Sequence, residues 1–426
     1  MFFNNFLKTA CISLFISLFL FSCSYRINHT IISDNYCSDT IKNVPEISIS
    51  DTVKQNTPQK KISIETGDKQ FNEYFPLIKN KRIAIVSNQT SMIDSVHLLD
   101  FLISQNINVV KIFALEHGFR GNIDRGKEYS GKTDKKTGVP IVAMYGKNRK
   151  PTAAQLENID FVLFDIQDVG VRFYTYISSM YLMMEACAEN HKKLIILDRP
   201  NPLGFYVDGP VLKSEYKSFV GMFPIPVVYG LTTGELALMI NGEGWLKNHM
   251  KCDLTVVKIK NYKHSDFWHL AVKPSPNLPN YQSVLLYPSL CFFEATEVSI
   301  GRGTKFPFQV IGFPNKSFGE FSFIPEDIPG MQMNPVQEGI RCYGVDLRNT
   351  KDVKFSLKYL IDFYNKFPDK SKFITRKKWF NLLAGNSELY NQITSGMSEE
   401  AIRKTWQKDL DSYKNMRKKY LLYLDF

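Results

Sequence analysis

The chain has 426 residues, 44% of them hydrophobic and 22% charged. That is ordinary globular composition, with length for two or three domains of ~100–200 residues each, and it argues against a mostly disordered protein, a collagen or a disulfide-knotted mini-protein. The 53 Lys+Arg exceed the 42 Asp+Glu, for a net charge of +11, which favours an anionic partner: nucleic acid, an envelope polymer or a membrane surface.

The N-terminus discriminates among these partners. Lys8 supplies a thin positive region, Ala10 to Phe21 is mostly apolar, and Ser22-Cys23 follows. The run is too short to span a bilayer and reads as a secretory signal. Its end resembles a bacterial lipoprotein signal, with cleavage before Cys23 and lipid on that cysteine; an ordinary signal or an uncleaved anchor is the alternative. The expected division is a signal peptide over 1–22 and a flexible tether over 23–74, rich in Ser, Thr, Asn, Lys and Gln and without periodicity. The location implied is the cell envelope, lipid-anchored to a membrane and facing the periplasm or exterior, which sets nucleic acid aside as a partner. Beyond Cys11 and Cys23 stand Cys37, Cys187, Cys252, Cys291 and Cys342. They are odd in number and lack a C-x-x-C, so they form neither a zinc ribbon nor a disulfide framework, although one or two bridges are open to them.

Order is expected from about residue 75. Arg82 to Val86 is a short apolar run ending in Ser87-Asn88-Gln89-Thr90, and a helical stripe follows through Val96, Leu99 and Ile103. Asn108 to Leu115 is a second strand, ending in Glu116-His117-Gly118. Phe161 to Phe164 is a third, ending in Asp165-Ile166-Gln167-Asp168. Ile177, Met180, Tyr181, Met184 and Cys187 then mark one helix face. Leu194 to Leu197 is a fourth strand, ending in Asp198-Arg199-Pro200-Asn201. Continuous apolar strands alternating with amphipathic helices indicate an α/β fold: a Rossmann-like, doubly wound parallel sheet over 75–283. The rigid Pro274 to Pro279 segment precedes shorter strands (309–312, 344–347) and helices (356–367, 398–424), which predict a smaller α+β domain over 284–426. In open α/β sheets ligands bind outside the carboxyl ends of the strands, where all four polar clusters lie.

No G-x-G-x-x-G follows the first strand and no P-loop exists, which disfavours a nucleotide cofactor. There is no G-x-S-x-G elbow and no H-E-x-x-H, and His117 lacks further metal ligands at sensible spacing, so no metal is expected. Carboxylates and arginines remain. Glu116, at a strand end and half-screened from water, suits a general acid; capping a helix or pairing with Arg120 is the competing role. Asp165 and Asp168 divide into one catalytic group and one partner for Arg172, or serve only in a structural Asp–Arg pair. Arg199 beside Asn201, and Arg302 between Gly301 and Gly303, are binding forks for a carboxylate or sugar, or loop clamps. Tyr174 and Tyr176 suit stacking on sugar rings or simple packing. Glu294 and Glu297 are reserve acids, solvated or paired with Arg302.

At these residues the sequence resembles a known family. Leu115-Glu116-His117-Gly118-Phe119-Arg120-Gly121, Asp165-Ile166-Gln167-Asp168-Val169-Gly170-Val171-Arg172, Asp198-Arg199-Pro200-Asn201, Pro274-Ser275-Pro276-Asn277 and Ser299-Ile300-Gly301-Arg302-Gly303-Thr304 are similar, in order over roughly 80–425, to the family once called domain of unknown function 1343. Its characterised members are exo-β-N-acetylmuramidases of the NamZ type. The resemblance implies a cleft between a Rossmann-like domain and a smaller one. It also implies removal of terminal N-acetylmuramic acid from peptidoglycan-derived glycans, with the lactyl carboxylate clamped by Arg172, Arg199 or Arg302. The pairing expected is Glu116 as general acid with Asp165 or Asp168 as second carboxyl and Glu294 in reserve, while His117 orients Glu116 or binds the sugar. A lipoprotein that holds muropeptides without cleaving them is the alternative. Two positions depart from many relatives: Leu115 replaces Pro and Tyr229 replaces His.

Overall fold

The structure, a computed structural model, describes residues 63–120 and 133–426. The signal, Cys23 and most of the expected tether lie outside the described residues. Six strands form one parallel sheet: β1 Ile83–Ser87, β2 Val109–Ala114, β3 Ile141–Ala143, β4 Phe161–Asp165, β5 Lys193–Leu197 and β6 Asp253–Val257. Their spatial order is β3-β2-β1-β4-β5-β6, the order of a dinucleotide-binding fold, which reverses direction between β1 and β4. β1 is buried along its whole length and is hydrogen-bonded on both sides, Ile85 facing Ile112 and Leu163. Branched apolar side chains on both faces suit a strand covered by helices on either side.

Helices α1 Phe71–Ile78, α2 Leu98–Ser104, α3 Ala153–Leu156, α4 Tyr176–Glu189 and α5 Thr233–Gly242 intersperse the strands. α5 starts with a reciprocal cap: Thr232 Oγ1 accepts from the Glu235 amide, and the Glu235 carboxyl accepts from the Thr232 amide. α6, Tyr281–Leu290, runs across position 284, where a domain boundary was expected, and a single hydrophobic cluster reaches from Val86 to Tyr413. The C-terminal half adds a small antiparallel sheet, β7 Val310–Phe313, β8 Phe321–Phe323 and β9 Cys342–Asp346, with β9 in the middle. It also adds helices α7 Lys358–Lys366, α8 Lys377–Ala384, α9 Glu388–Thr394 and α10 Glu399–Arg417. α10 buries Ile402, Trp406, Leu410 and Tyr413, the three-to-four spacing of one helical face. It stops at Arg417, short of the expected 424, and gives way to a 3-10 turn over Lys418–Tyr420; the Arg417 side chain donates to the carbonyl of Gly230.

Residues 63–74, placed in the tether by composition, are packed. Gly67 donates to the Asp198 carbonyl at 2.8 Å, and Asp68 and Tyr74 are fully buried. Polar composition concealed this segment because its buried polar group is satisfied by an ion pair rather than by apolar contacts. Cys187, Cys252 and Cys342 are buried, unbridged thiols.

Candidate active site

A cavity of about 340 Å³ opens at the carboxyl ends of β2 and β4 and is closed by residues from the C-terminal half. β2 delivers Glu116 and His117 to it. The chain turns at once, the Gly118 amide bonding the Leu115 carbonyl at 3.0 Å, with His117 at φ 71° and Gly118 at φ 77°. A histidine held in the left-handed region is strained, and such strain gathers at functional sites. Glu116 is half-buried. Thr175 Oγ1 lies 3.4 Å from its Oε2, and the Tyr176 hydroxyl donates to its backbone carbonyl at 3.3 Å. Arg120 is bonded instead to Asp134, at 2.9 Å, so it does not pair with Glu116.

The turn after β4 brings Phe173, Tyr174 and Tyr176 to the cavity. These tyrosines are buried walls rather than surface fillers: their rings meet edge-on at 4.9 Å, and Tyr174 donates to the Pro274 carbonyl at 2.9 Å. Burial pushes both phenols well up from their ordinary value, so they act as neutral donors and apolar faces.

From the other half come Glu294 and Arg302, whose Nη2 donates to Glu294 Oε1 at 2.5 Å. Gly301 and Gly303 sit at φ 75° and 77°, and a Cβ on either would lie 2.6 Å from a backbone carbonyl oxygen. Only glycine lets the loop pass there and present the arginine between them. Phe308, at φ 57°, stacks under that guanidinium at 4.8 Å. Glu297 lies apart, accepting from Thr375 at 2.8 Å. The cavity wall is completed by Tyr145, Arg149, Asn277, Tyr287 and Trp379. These come from segments far apart in sequence, and Asn277 falls within the Pro274–Asn277 motif of the family resemblance. Among the described residues, no group of three or more His, Cys, Asp or Glu is placed to hold a metal ion.

Five expected site residues sit elsewhere. Asp165 is fully buried and receives Arg199 Nε at 2.5 Å and Nη2 at 2.8 Å. The same guanidinium reaches Asp68 at 2.7 Å, so the Arg199 fork is filled from inside the fold. Asn201 is a loop clamp, its amide donating to the Leu231 carbonyl and its oxygen accepting from the Leu203 amide, both at 2.8 Å. Arg172 is completely buried and donates to the carbonyls of Pro210, Ile225 and Leu383; it binds backbone, not Asp168. Asp168 lies beneath the tyrosines, accepting from the Tyr229 hydroxyl and the Gly170 amide. Burial pushes its carboxyl up to about 6 against those two bonds. Tyr229 itself is buried and does not line the cavity. Strand-end position points to Asp165, Asp168, Arg199 and Asn201, and the family resemblance to Arg172, but all five side chains are buried in the protein interior.

Residues 83–282 match the N-terminal domain, and residues 285–423 the C-terminal domain, of exo-β-N-acetylmuramidase NamZ. The chain belongs to this family. It is 38% identical over 394 residues to the peptidoglycan β-N-acetylmuramidase NamZ of Bacillus subtilis strain 168, covering 87% of this chain and 94% of that one. Two crystal structures of DUF1343 family proteins from Bacteroides fragilis superpose on it. One has a TM-score of 0.80 at 48% identity and covers 86% of this chain; the other has 0.73 at 32% and covers 85%. Each is matched over 100% of its own length. Within the family's two-domain frame, the cavity draws Glu116 and His117 from the N-terminal part and Glu294 and Arg302 from the C-terminal part.

Proposed function

We propose that the protein is an exo-acting β-N-acetylmuramidase that removes terminal N-acetylmuramic acid from peptidoglycan fragments, with Glu116 as general acid and Glu294 as the second carboxyl. Glycoside hydrolysis ordinarily takes two carboxyl groups. The observation that carries this assignment is that, among the described residues, Glu116 and Glu294 are the two carboxylic side chains lining the cavity. Water adds across the C1–O bond: Glu116 gives its proton to the departing oxygen, the hydroxyl of water goes to C1, and the remaining proton of water goes to the carboxyl pair, which restores its protonation state. His117 and Thr175 border Glu116 and orient it. Among the described residues, Arg149 and Arg302 are the arginines at the cavity, and they suit the lactyl carboxylate of the sugar. The same reading extends to export. The apolar leader ending at Ser22-Cys23 supports a lipid anchor on Cys23 in the cell envelope, where the net charge of +11 favours an anionic glycan.

The test is release of nitrophenol from 4-nitrophenyl β-N-acetylmuramide by the purified protein. Saturable binding without release would favour a muropeptide-binding protein instead. Glu116→Gln keeps shape and loses the proton, so kcat on the natural disaccharide should fall ~10²–10⁴-fold, the usual worth of general acid catalysis. Nitrophenol needs little protonation to leave, so that substrate should suffer less. A mutant that cleaves the disaccharide at the wild-type rate would remove Glu116 from this role.

A further inference from the structure

The Glu294–Arg302 pair and Trp379 also line a second, adjoining cavity of about 480 Å³. Its other walls include Gln332, Asn334 and Val336 from the loop between β8 and β9, and Arg376 just ahead of α8. Arg302 Nη1 lies 3.4 Å from Gln332 Oε1, which ties that loop to the pair. Among the described residues, the first cavity holds the carboxyl side chains of Glu116 and Glu294 beside buried aromatic walls such as Phe173, Tyr287 and Phe308. The second holds Glu294 without Glu116; its walls include the buried Phe293, Val298 and Ile300, and its rim the exposed Asn334 and Arg376.

We infer that the second cavity is the subsite for the leaving side of the glycosidic bond, taking an N-acetylhexosamine while the terminal sugar fills the first. This rests on the glycosidase reading above. A sugar chain bound across the cut needs a chamber on each side of the bond, and these two cavities adjoin at a wall they share, with Glu116 in the first. The bond to be cut must then cross the shared wall, which is where Glu294 and Arg302 stand. Trp379 reaches both cavities, and an indole face suits the C–H faces of sugar rings on either side of the cut. Arg376 and Asn334 carry donors for hydroxyl and acetamido oxygens of the leaving sugar. Contacts to the part of a substrate remote from the reacting bond raise turnover when their energy is realised in the transition state.

Val336→Trp, which fills the second cavity, and Arg376→Ala, an exposed truncation that leaves packing intact, test this. Thermal unfolding checks that each variant is folded, and kcat/KM is measured on the natural disaccharide and on 4-nitrophenyl β-N-acetylmuramide, whose leaving group has no hydroxyl or acetamido groups. The disaccharide value should fall about tenfold or more for each variant, the scale of a lost pocket contact, and the aryl value should stay within about twofold. Equal falls on both substrates would overturn the assignment, placing these residues with the terminal sugar or with the fold. So would wild-type values on both. A wild-type chain inactive on both substrates would instead overturn the glycosidase reading, and this subsite with it.

Discussion

Asp168 provides the most exacting test of the buried architecture behind the cavity. Its carboxyl is fully enclosed, no cation approaches it among the described residues, and Oδ1 has no hydrogen-bond partner there. Burial pushes its pKa up to about 6, against the bonds from Tyr229 and the backbone. An unfolded aspartate titrates at ~3.9, so the folded state holds this proton by ~2 pKa units, or ~3 kcal/mol. A pKa raised by folding means that the stabilising contribution is complete below pH ~4 and lost as pH rises through about 6. Asp168→Asn removes the titration and keeps the shape. Its amide leaves one buried donor unpaired, a pH-independent cost of ~1–3 kcal/mol. The stability of the variant relative to wild type should therefore improve by ~3 kcal/mol between pH 4 and pH 8. For a folded unit of roughly 360 residues, unfolding entropy near ~0.8 kcal/mol/K converts this to a relative shift of ~4 °C. Asp68 and Asp198, also pushed to about 6 mainly by burial, titrate in both proteins and cancel in the difference. Calorimetry at the two pH values reads it directly. A difference that is constant with pH, or that moves against the variant, would refute the view that Asp168 is held as an acid.

Other perturbations separate the buried network from the cavity. Arg199→Ala strands Asp165 and Asp68 without their cation and should cost ~3–5 kcal/mol in urea unfolding; an unchanged midpoint would show the network is not structural. Gly170→Ala puts a methyl 2.1 Å from Asn201 Oδ1 at a φ of +79°, so ~1–3 kcal/mol should be lost to backbone strain alone, seen as a lower melting temperature. Glu294→Gln should reduce turnover of both the disaccharide and the nitrophenyl substrate by ~10²-fold or more with folding intact, because a second carboxyl serves any leaving group. Loss confined to the disaccharide would give Glu294 a role in leaving-group binding only.

The central strands were legible because β1, β4 and β5 are apolar nearly end to end. β3 has three residues and was too short to stand out, and β6 alternates exposed and half-buried positions at the sheet edge, so neither announced itself. At the site, Glu116, His117, Tyr174, Tyr176, Glu294 and Arg302 were found from strand ends and a glycine-flanked loop. Asp165 and Arg199 were misread for a specific reason: the third member of their cluster, Asp68, lies in a segment whose composition suggested a tether. Arg149 and Trp379 stand in segments with no local pattern, and only the folded chain brings them to the cavity.

The residues that left the expected site still explain why the cavity has a fixed shape. Arg172 immediately precedes Phe173, Tyr174 and Tyr176, and its guanidinium bonds the carbonyls of Pro210 and Ile225 on one side and Leu383 of α8 on the other, at 2.7, 2.9 and 2.7 Å. α8 also carries Trp379. One buried cation therefore joins the loop at the end of β4 to the helix that supplies the opposite aromatic wall. Among the described residues its charge has no carboxylate partner, and burial pulls its pKa down, yet three carbonyl acceptors require the protonated fork to stay complete. A lysine would present a single ammonium where the fork spans three acceptors in two directions. The family resemblance implies a ligand clamp; the geometry makes Arg172 a clamp between the two halves that wall the cavity.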